Sequence, residues 1–313
     1  MYYPYLRGKQ FELIALREFA DSYDNYKVTP IIEPVKMSFN SMSLAISVMK
    51  NKRLKFALIL NPQVGDIIGQ SQAIETGLTA LLADRTAWHP AFIVNNFNHL
   101  QIITHISNKN YQDVLLICND NLDTSAASLA QIIQMDNVTH IIINASNSRL
   151  KRLANRSNKS VIRLDDFFIQ QRQNRDYLPI QEEMFTEEHN FFIDDGFVGI
   201  SDYTALPSEF IEGGMLPAAI AFHWTYEKNT DSIWVRHFVS DTNDDRTNIQ
   251  GKFGEAARKA VSFFDLWNIC NMASEELRNY VMNGQYPGLG VIKKLSIKNH
   301  IELMNQIFTR REL

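Results

Sequence analysis

The sequence predicts an α/β protein whose core is a (β/α)8 TIM-like barrel, with an extra β-hairpin late in the chain and a C-terminal helical tail. Short apolar runs alternate with stretches of helical spacing through the first two hundred residues, the order typical of βα units. Most runs are continuously apolar, such as ALIL and VLLIC, as expected when a parallel sheet is covered on both faces. Eight such units favour a closed barrel over an open sheet, and the chain has no glycine-rich phosphate loop of the open-sheet type.

The predicted elements follow in chain order. The eight strands cover residues 3–7, 30–35, 56–60, 91–94, 114–118, 140–143, 160–164 and 197–200. Helical spacing between them predicts helices at residues 11–19, 43–49, 73–82, 100–106, 126–133 and 150–154. These helices have the length expected of crossover connections, so we expect them to cover the outside of the barrel.

The regular alternation weakens after residue 202. Two aromatic-rich runs separated by EKNTDS predict a β-hairpin over residues 217–241. These runs could instead be the last barrel strands, with residues 3–7 forming an edge strand or a lid. An amphipathic helix at 253–268 would close a barrel domain of residues 1–270. Helical stretches at 275–282 and 297–308 predict a tail, residues 271–313, packed on that domain.

Composition excludes several classes of protein. With 313 residues, 45% hydrophobic and 21% charged, the chain is globular, not disordered or fibrous. The net charge of -4 gives no reason to expect general affinity for nucleic acid. No apolar run approaches the roughly 18 residues of a membrane span, so we expect a cytoplasmic protein without membrane contact. The cysteines Cys118 and Cys270 predict neither a disulfide framework nor a thiolate metal cluster.

Each of the eight predicted strands has a polar residue at or near its carboxyl end. Since the carboxyl ends of parallel barrel strands meet at one face, and barrel enzymes keep their active sites there, these residues predict a site. They are Arg7, Glu33, Asn61, Asn95, Asn119, Asn144, Asp165 and Asp202. The alternative for the asparagines is that they form turns or cap the next helix.

The charged residues near the first two strands predict the chemistry of this face. Arg7, Lys9 and Lys36 bring positive charge to the rim, and Glu33 ends an apolar strand where an unpaired carboxylate is costly. We expect Lys9 to be the partner of Glu33. A buried pair of this kind can act as acid and base or bind an anion, and it can equally be a structural ion pair.

Asp165 and Asp202 end the seventh and eighth strands. Neighbouring carboxylates could bind a divalent cation, the one cofactor that the sequence indicates. The alternative is that both are ordinary helix or turn caps.

The late aromatic runs carry further candidates. Strand alternation places His237 and Asp241 on one face and Arg236 on the other. His237 and Asp241 could therefore cooperate in proton transfer, and the alternative is a histidine satisfied within the core.

Two stretches resemble a known family. PYLRGKQFELIALREF followed by TPIIEPVK resembles the N-terminal signature of the phage beta-protein family, in which Pro-x-Leu-Lys/Arg-x-Lys-x-x-Glu precedes a Pro-x-x-Glu strand. The segment DDGFVGISDYTALPSEFIEGGMLPAAIAFHWTY and the later VRHFVSD resemble a bacterial subgroup of that family, usually found beside a second small gene in mobile or defence-associated neighbourhoods. The resemblance implies a barrel-like α/β fold but no reaction. It matches Arg7, Lys9, Glu12, Glu33, Ser201, Asp202, Tyr203, His237 and Asp241.

Two functions follow as hypotheses. The first is a protein of an anti-phage defence or mobile-element module that binds, and could hydrolyse, a small anionic ligand such as a nucleotide at the strand-end face. Glu33, Lys9, His237 and Asp241 would be catalytic, Asp165 and Asp202 would hold a metal, and the ligand-binding residues would be Arg7, Lys36, Asn61, Asn95, Ser201, Tyr203 and Arg236. The second is a non-catalytic subunit that docks a partner protein encoded beside it through its tail and through Trp224, Trp234 and Phe238. The sequence leaves open whether the chain is an enzyme.

Overall fold

A computed structural model describes residues 1–24, 26–213, 216–229 and 231–311. Thr230 of the predicted hairpin and residues 312–313 of the predicted tail lie outside the described residues.

Eight parallel strands form one sheet in chain order. They are β1 (Tyr5–Leu6), β2 (Ile31–Ile32), β3 (Phe56–Ile59), β4 (Trp88–Val94), β5 (Val114–Cys118), β6 (Val138–Asn144), β7 (Ser160–Leu164) and, after β8 (Glu182–Thr186) of a second sheet, β9 (Gly199–Ser201). Their order in the sheet is the order of the predicted strands.

The sheet closes on itself between its first and last strands. Tyr2 forms a parallel bridge with Ile200, and the Tyr3 N–H donates to the Ile200 carbonyl at 2.8 Å. The (β/α)8 fold class is therefore confirmed. The alternative, in which the aromatic runs are the last barrel strands, is wrong, because those runs pair in a different sheet.

Six helices cover the outside of the barrel between consecutive strands. They are α1 (Gln10–Ser22), α2 (Asn40–Asn51), α3 (Ser71–Gly77), α4 (His99–Lys109), α5 (Ala127–Gln134) and α6 (Ser148–Arg156). Between β7 and β9 the described chain has no α-helix. Its place is taken by a short 3-10 helix at Asn174–Tyr177 and by β8.

The predicted hairpin is confirmed and belongs to a three-stranded antiparallel sheet. β10 (Ala221–Asn229) pairs with β11 (Ser232–Val239), with His223 opposite His237, and β11 also pairs with β8. Helix α7 (Ile249–Leu266) packs on one face of this sheet, where Phe264 stacks on Trp224 with ring centroids 4.4 Å apart. Trp224 and Phe238 are buried in this core, so they are not exposed docking anchors.

The C-terminal helices are part of the core. After α8 (Met272–Met282), α9 (Leu289–Arg310) begins eight residues before its predicted start and lies against α1 and β10. Its buried Lys294 and Lys298 both bind Glu18 of α1 and Glu276 of α8, at 2.5–2.8 Å. The predicted division at residue 270 stays a prediction, but α9 joins the barrel to the second sheet.

The barrel interior is filled by alternate residues of the strands. Tyr5, Ile31, Ile59, Ile93, Ile117 and Ile142 belong to this apolar cluster, and Ala57 and Ala91 lie among them. Because side chains on one face of a strand recur at every second residue, the next inward position along each of these strands lies at the carboxyl-terminal mouth.

Candidate functional site

Six of the eight predicted strand-end residues meet around the mouth of the barrel. In each case the residue two positions earlier lines the barrel interior, so the strand-end side chain is the next inward one. The six are Arg7, Glu33, Asn61, Asn95, Asn119 and Asn144. They form a ring around the opening where barrel enzymes bind their substrates.

Glu33 is the most deeply buried member of this ring. Its Oε2 accepts hydrogen bonds from the Tyr5 hydroxyl at 2.7 Å and from Arg7 Nη1, and its Oε1 accepts from the Gln63 backbone N–H at 2.7 Å. The prediction that Lys9 pairs with Glu33 is wrong. Strand alternation places Arg7 in the barrel beside Glu33, whereas Lys9 caps α1 outside the strand.

Arg7 connects this buried pair to a segment at the mouth. Its Nη2 donates to the Ser208 carbonyl at 2.6 Å. Ser208 belongs to residues 204–213, which we call the mouth strap. The Arg7 Nε is buried without a hydrogen-bond partner in the described chain. A buried donor left without an acceptor costs about 1–3 kcal/mol, so Nε is a position where a ligand oxygen would be favourable.

The other two predicted cations also bind the mouth strap. Lys9 Nζ donates to the Ile211 carbonyl at 2.8 Å. Lys36 forms an ion pair with the Glu212 carboxylate of the strap and a second one, at 3.2 Å, with Asp66 outside it. All three cations predicted to bind an anion therefore bind oxygen atoms of one segment. The sequence gives no sign of these strap contacts, since they join residues about 175 to 200 positions apart.

The asparagines of the ring have two kinds of role. Asn61 exchanges two hydrogen bonds of 2.8 Å with the backbone of Ile93, which extends the pairing of β3 with β4. The side-chain oxygens of Asn95 and Asn144 each accept from the backbone N–H two residues later, at 2.9 Å. This is the turn-forming role that the alternative interpretation predicts. Within the described chain, the side-chain amides of Asn95 and Asn144 donate no hydrogen bond.

Ser201 and Tyr203 continue the inward face of β9. The Ser201 hydroxyl is buried and donates to the Tyr3 carbonyl at 2.6 Å, so it holds the barrel closed instead of facing a ligand. The Tyr203 ring lies 5.1 Å from the Tyr5 ring and 5.6 Å from the Arg7 guanidinium. Burial raises the pKa of Tyr203 to about 12, which keeps its hydroxyl protonated as a neutral wall of the mouth.

Asp165 and Asp202 face away from the mouth. Asp202 accepts from the Tyr2 hydroxyl at 2.6 Å and lies 3.2 Å from His300 Nε2 of α9. Asp165 accepts from Arg163 Nε at 2.5 Å, and burial raises the pKa of Asp165. Both carboxylates are thus held by protein groups behind the barrel wall, and the predicted metal site at the mouth gains no support from their positions.

His237 and Asp241 do not meet. The His237 side chain is buried, with Nδ1 2.8 Å from His223 Nδ1 and Nε2 3.2 Å from Glu183 Oε1, and burial lowers its pKa to about 4. Asp241 instead pairs with Lys259 of α7 at 2.6 Å. The two residues do not share a strand face, because β11 ends at Val239, before Asp241. The geometry of His237 is that of a core histidine.

Arg236 lies on the opposite face of β11, at a groove between the second sheet and α7. The groove encloses about 680 Å3, within the range of small-molecule sites. Arg258 and Lys259 of α7 line it together with Arg236, as do the carboxylates Asp241 and Glu255. Apart from Asp165 and Asp202, which lie behind the barrel wall, the predicted residues divide between two places, the mouth and this groove. The sequence could have indicated Arg258 and Lys259, because both lie outside the apolar stripe of the amphipathic helix α7.

None of the described helices is both long and apolar enough to span a bilayer. Comparisons of the chain with protein-family models, with curated proteins and with solved structures found no match.

Proposed function

We propose that this chain binds a small anionic ligand, such as a nucleotide or another phosphoester, in the barrel mouth beside the mouth strap. The observation that carries the proposal is that Arg7, Lys9 and Lys36 all bind oxygen atoms of the strap. Phosphate oxygens are acceptors of the same kind. An entering anion would replace the strap oxygens as the partners of these three cations.

Arg7 is the residue expected to make the most specific contact. A guanidinium offers several N–H donors in one plane and binds phosphate oxygens through two of them. The buried Glu33 carboxylate fixes the orientation of this plane, and Nε already lacks an acceptor. The free side-chain amides of Asn95 and Asn144 would add neutral donors around the same opening.

Binding, not turnover, is the activity that we propose for this site. Hydrolysis would need a base close to the ligand, and both oxygens of Glu33 already accept hydrogen bonds. Glu33 is therefore a positioning residue for Arg7. The wider role that we propose, in an anti-phage defence or mobile-element module, follows from the resemblance to the phage beta-protein family.

Two glutamates of the strap provide a matched test. Glu212 pairs with Lys36, whereas Glu209 is exposed in the same segment. Isothermal titration with ATP and with inorganic pyrophosphate would compare Glu212→Ala with Glu209→Ala. Both variants remove one negative charge, so a difference between them isolates the Lys36 contact.

We expect Glu212→Ala to bind the anion more tightly than the native chain does, and Glu209→Ala to bind it almost unchanged. Lys36→Met should bind more weakly. Equal affinities for the two glutamate variants would contradict the proposal, as would the absence of binding by every variant.

A second function, docking of a partner protein encoded beside this chain, is favoured by one further observation. Large apolar side chains are exposed on loops that leave the carboxyl ends of the barrel strands. They are Met37, Ile68, Phe97, Ile169 and Ile211. The Phe97 side chain is the extreme case, with the residue 98% exposed. Such an apolar rim is the kind of surface that a protein partner covers.

Co-purification with the product of the neighbouring gene tests this second function. Phe97→Ser combined with Ile68→Ser should abolish the complex without changing the melting temperature. Ile193→Ser together with Val198→Ser, exposed apolar positions just before β9, provides the control. A complex that survives the first pair of changes would contradict docking at the mouth.

A further inference from the structure

A second cluster of functional side chains lies at the amino-terminal pole of the barrel, opposite the mouth. His89 is the second residue of β4, His140 is the third residue of β6, and Asp113 directly precedes β5 between them. Each stands two positions before a residue of the barrel interior, namely Ala91, Ile142 and Leu115. Three neighbouring strands therefore direct two imidazoles and a carboxylate to the same end of the barrel.

The three side chains are close enough to share one ion. One ligand atom of each lies within 4.8 Å of the others. His89 Nδ1 is 3.0 Å from both Oδ2 and the backbone carbonyl oxygen of Asp113, and His140 Nδ1 is 3.9 Å from Asp113 Oδ1 and 2.8 Å from the Thr139 hydroxyl, contacts that the two imidazoles would give up to an ion. The two imidazole rings meet edge to face with centroids 5.5 Å apart. Small rotations of these side chains would bring the three ligand atoms around one centre.

The donor set selects a class of ion. Two imidazole nitrogens with one carboxylate oxygen suit Zn²⁺ and similar first-row transition ions, whereas Ca²⁺ and Mg²⁺ prefer oxygen ligands alone. The cluster is also reachable from water, since the side chains of Asp113 and His140 are 39% and 23% exposed. Water could therefore complete the coordination.

Other groups around Asp113 define what the ion must displace and what would support it. Lys55 Nζ lies 2.9 Å from Asp113 Oδ2, and the Thr139 hydroxyl donates to Oδ1 at 2.7 Å. Thr139 resembles an outer-shell residue that orients a ligand carboxylate. The Lys55 ammonium competes with a cation for the same oxygen, and its partly exposed side chain is free to turn into solvent.

We propose that His89, Asp113 and His140 form a binding site for a divalent transition-metal ion, Zn²⁺ or a related ion, at the amino-terminal pole of the barrel. The ion would tie β4, β5 and β6 together where their strands begin. Its place, at the pole that barrels use for stability instead of catalysis, makes it a structural site. It is independent of the anion site proposed for the mouth.

Cobalt is the probe for the test, because a Co²⁺ ion bound by nitrogen and oxygen ligands gives visible absorption bands. The chain is prepared without an affinity tag, stripped with a chelator and titrated with Co²⁺. We expect bands that saturate at one ion per chain, disappear when Zn²⁺ is added in excess, and accompany a rise in melting temperature that the chelator reverses.

Variants assign the bands to this cluster. The double change His89→Gln and His140→Gln should abolish them, and His105→Gln, which alters a histidine bound to Glu75 outside the barrel, should leave them intact. Lys55→Met should increase the affinity for Co²⁺, since it removes the competing ammonium. If the three side chains are only hydrogen-bonded to one another and bind no ion, neither the native chain nor any variant should give Co²⁺ bands.

The proposal is overturned if the native chain gives no bands at millimolar Co²⁺, or if the bands survive the double histidine change. Circular dichroism of the double variant shows whether it is folded. If it is not, Asp113→Asn replaces it, since that change keeps the size of the side chain and removes the charged ligand.

Discussion

Arg7 and Glu33, from the ends of the first two barrel strands, form an ion pair in which the Glu33 side chain is completely buried and the Arg7 side chain is 19% exposed. The same guanidinium donates a hydrogen bond to the Ser208 carbonyl. The pair therefore joins the floor of the barrel mouth to the strap that lies beside it.

Glu33→Gln should destabilise the protein strongly. The change keeps the size of the side chain but leaves the Arg7 charge without its partner, and breaking a buried pair costs about 3 kcal/mol or more. Urea unfolding measures the loss. Glu209→Gln, at an exposed position of the strap, should change the free energy of unfolding by less than about 0.5 kcal/mol. Equal stability of the two variants would contradict the burial of the pair.

Lys9→Met tests whether Glu33 is paired with Arg7 and not with Lys9. Lys9 Nζ donates a hydrogen bond to the Ile211 carbonyl and lies 4.4 Å from the centre of the Phe210 ring. Removing this ammonium should therefore not alter the surroundings of the Glu33 carboxylate. In a double-mutant cycle, the effects of Lys9→Met and Glu33→Gln on unfolding should add within about 0.5 kcal/mol. A larger coupling energy would restore the direct Lys9–Glu33 pair.

Glu182→Gln should weaken the acid dependence of stability. Burial alone would raise the pKa of Glu182, but hydrogen bonds from Lys228, Tyr226 and Arg236 lower it from 4.5 to about 2. A lowered folded-state pKa adds stability that is complete above pH 4.5 and is lost as the pH falls toward 2.

The measurement is the free energy of unfolding of native and variant proteins between pH 2 and 6. Native protein should lose more stability over the acid part of this range than Glu182→Gln does. Glu187→Gln, on the exposed turn after β8, is the control and should follow the native curve. Parallel curves for all three proteins would refute the assignment.

His300→Ala tests the role of α9 in the core. His300 is fully buried, with Nδ1 2.9 Å from the Thr225 hydroxyl and Nε2 3.2 Å from Asp202. Removing the imidazole leaves the Thr225 hydroxyl and the Asp202 carboxylate each without one hydrogen-bond partner. The free energy of unfolding should therefore fall by about 2 kcal/mol or more. Thermal unfolding compares it with Thr309→Ala, an exposed position on α9. A loss no larger than that of the control would show that α9 is peripheral.

The barrel was predictable because a parallel strand buried on both faces needs a continuous apolar run. Val114–Cys118 and Ser160–Leu164 match their predicted bounds residue for residue. Glu182–Thr186 escapes prediction because it begins with two glutamates that are paired only in the folded protein. The first turns of α9 escape for the same reason, since Lys294 is buried only through Glu18 and Glu276.

The candidate site was predictable in its position but not in its contacts. Barrel topology places the strand ends at one pole, and alternation alone separates inward Arg7 and Glu33 from outward Asp202. The same rule does not exclude Lys9, which has the parity of Arg7; Lys9 is not the partner of Glu33 because the strand ends at Leu6 and Lys9 already stands at the start of α1. The strap contacts of Arg7 and Lys36 depend on a connection far along the chain, which no local pattern reveals.

A crystal structure of the protein soaked with ATP or pyrophosphate tests the central claim most directly. We predict phosphate oxygens within hydrogen-bond distance of Arg7 Nε and Lys36 Nζ, with the Glu212 carboxylate displaced from Lys36. An anion bound only in the groove beside Arg258, with the strap contacts of Arg7 and Lys36 unchanged, would contradict it.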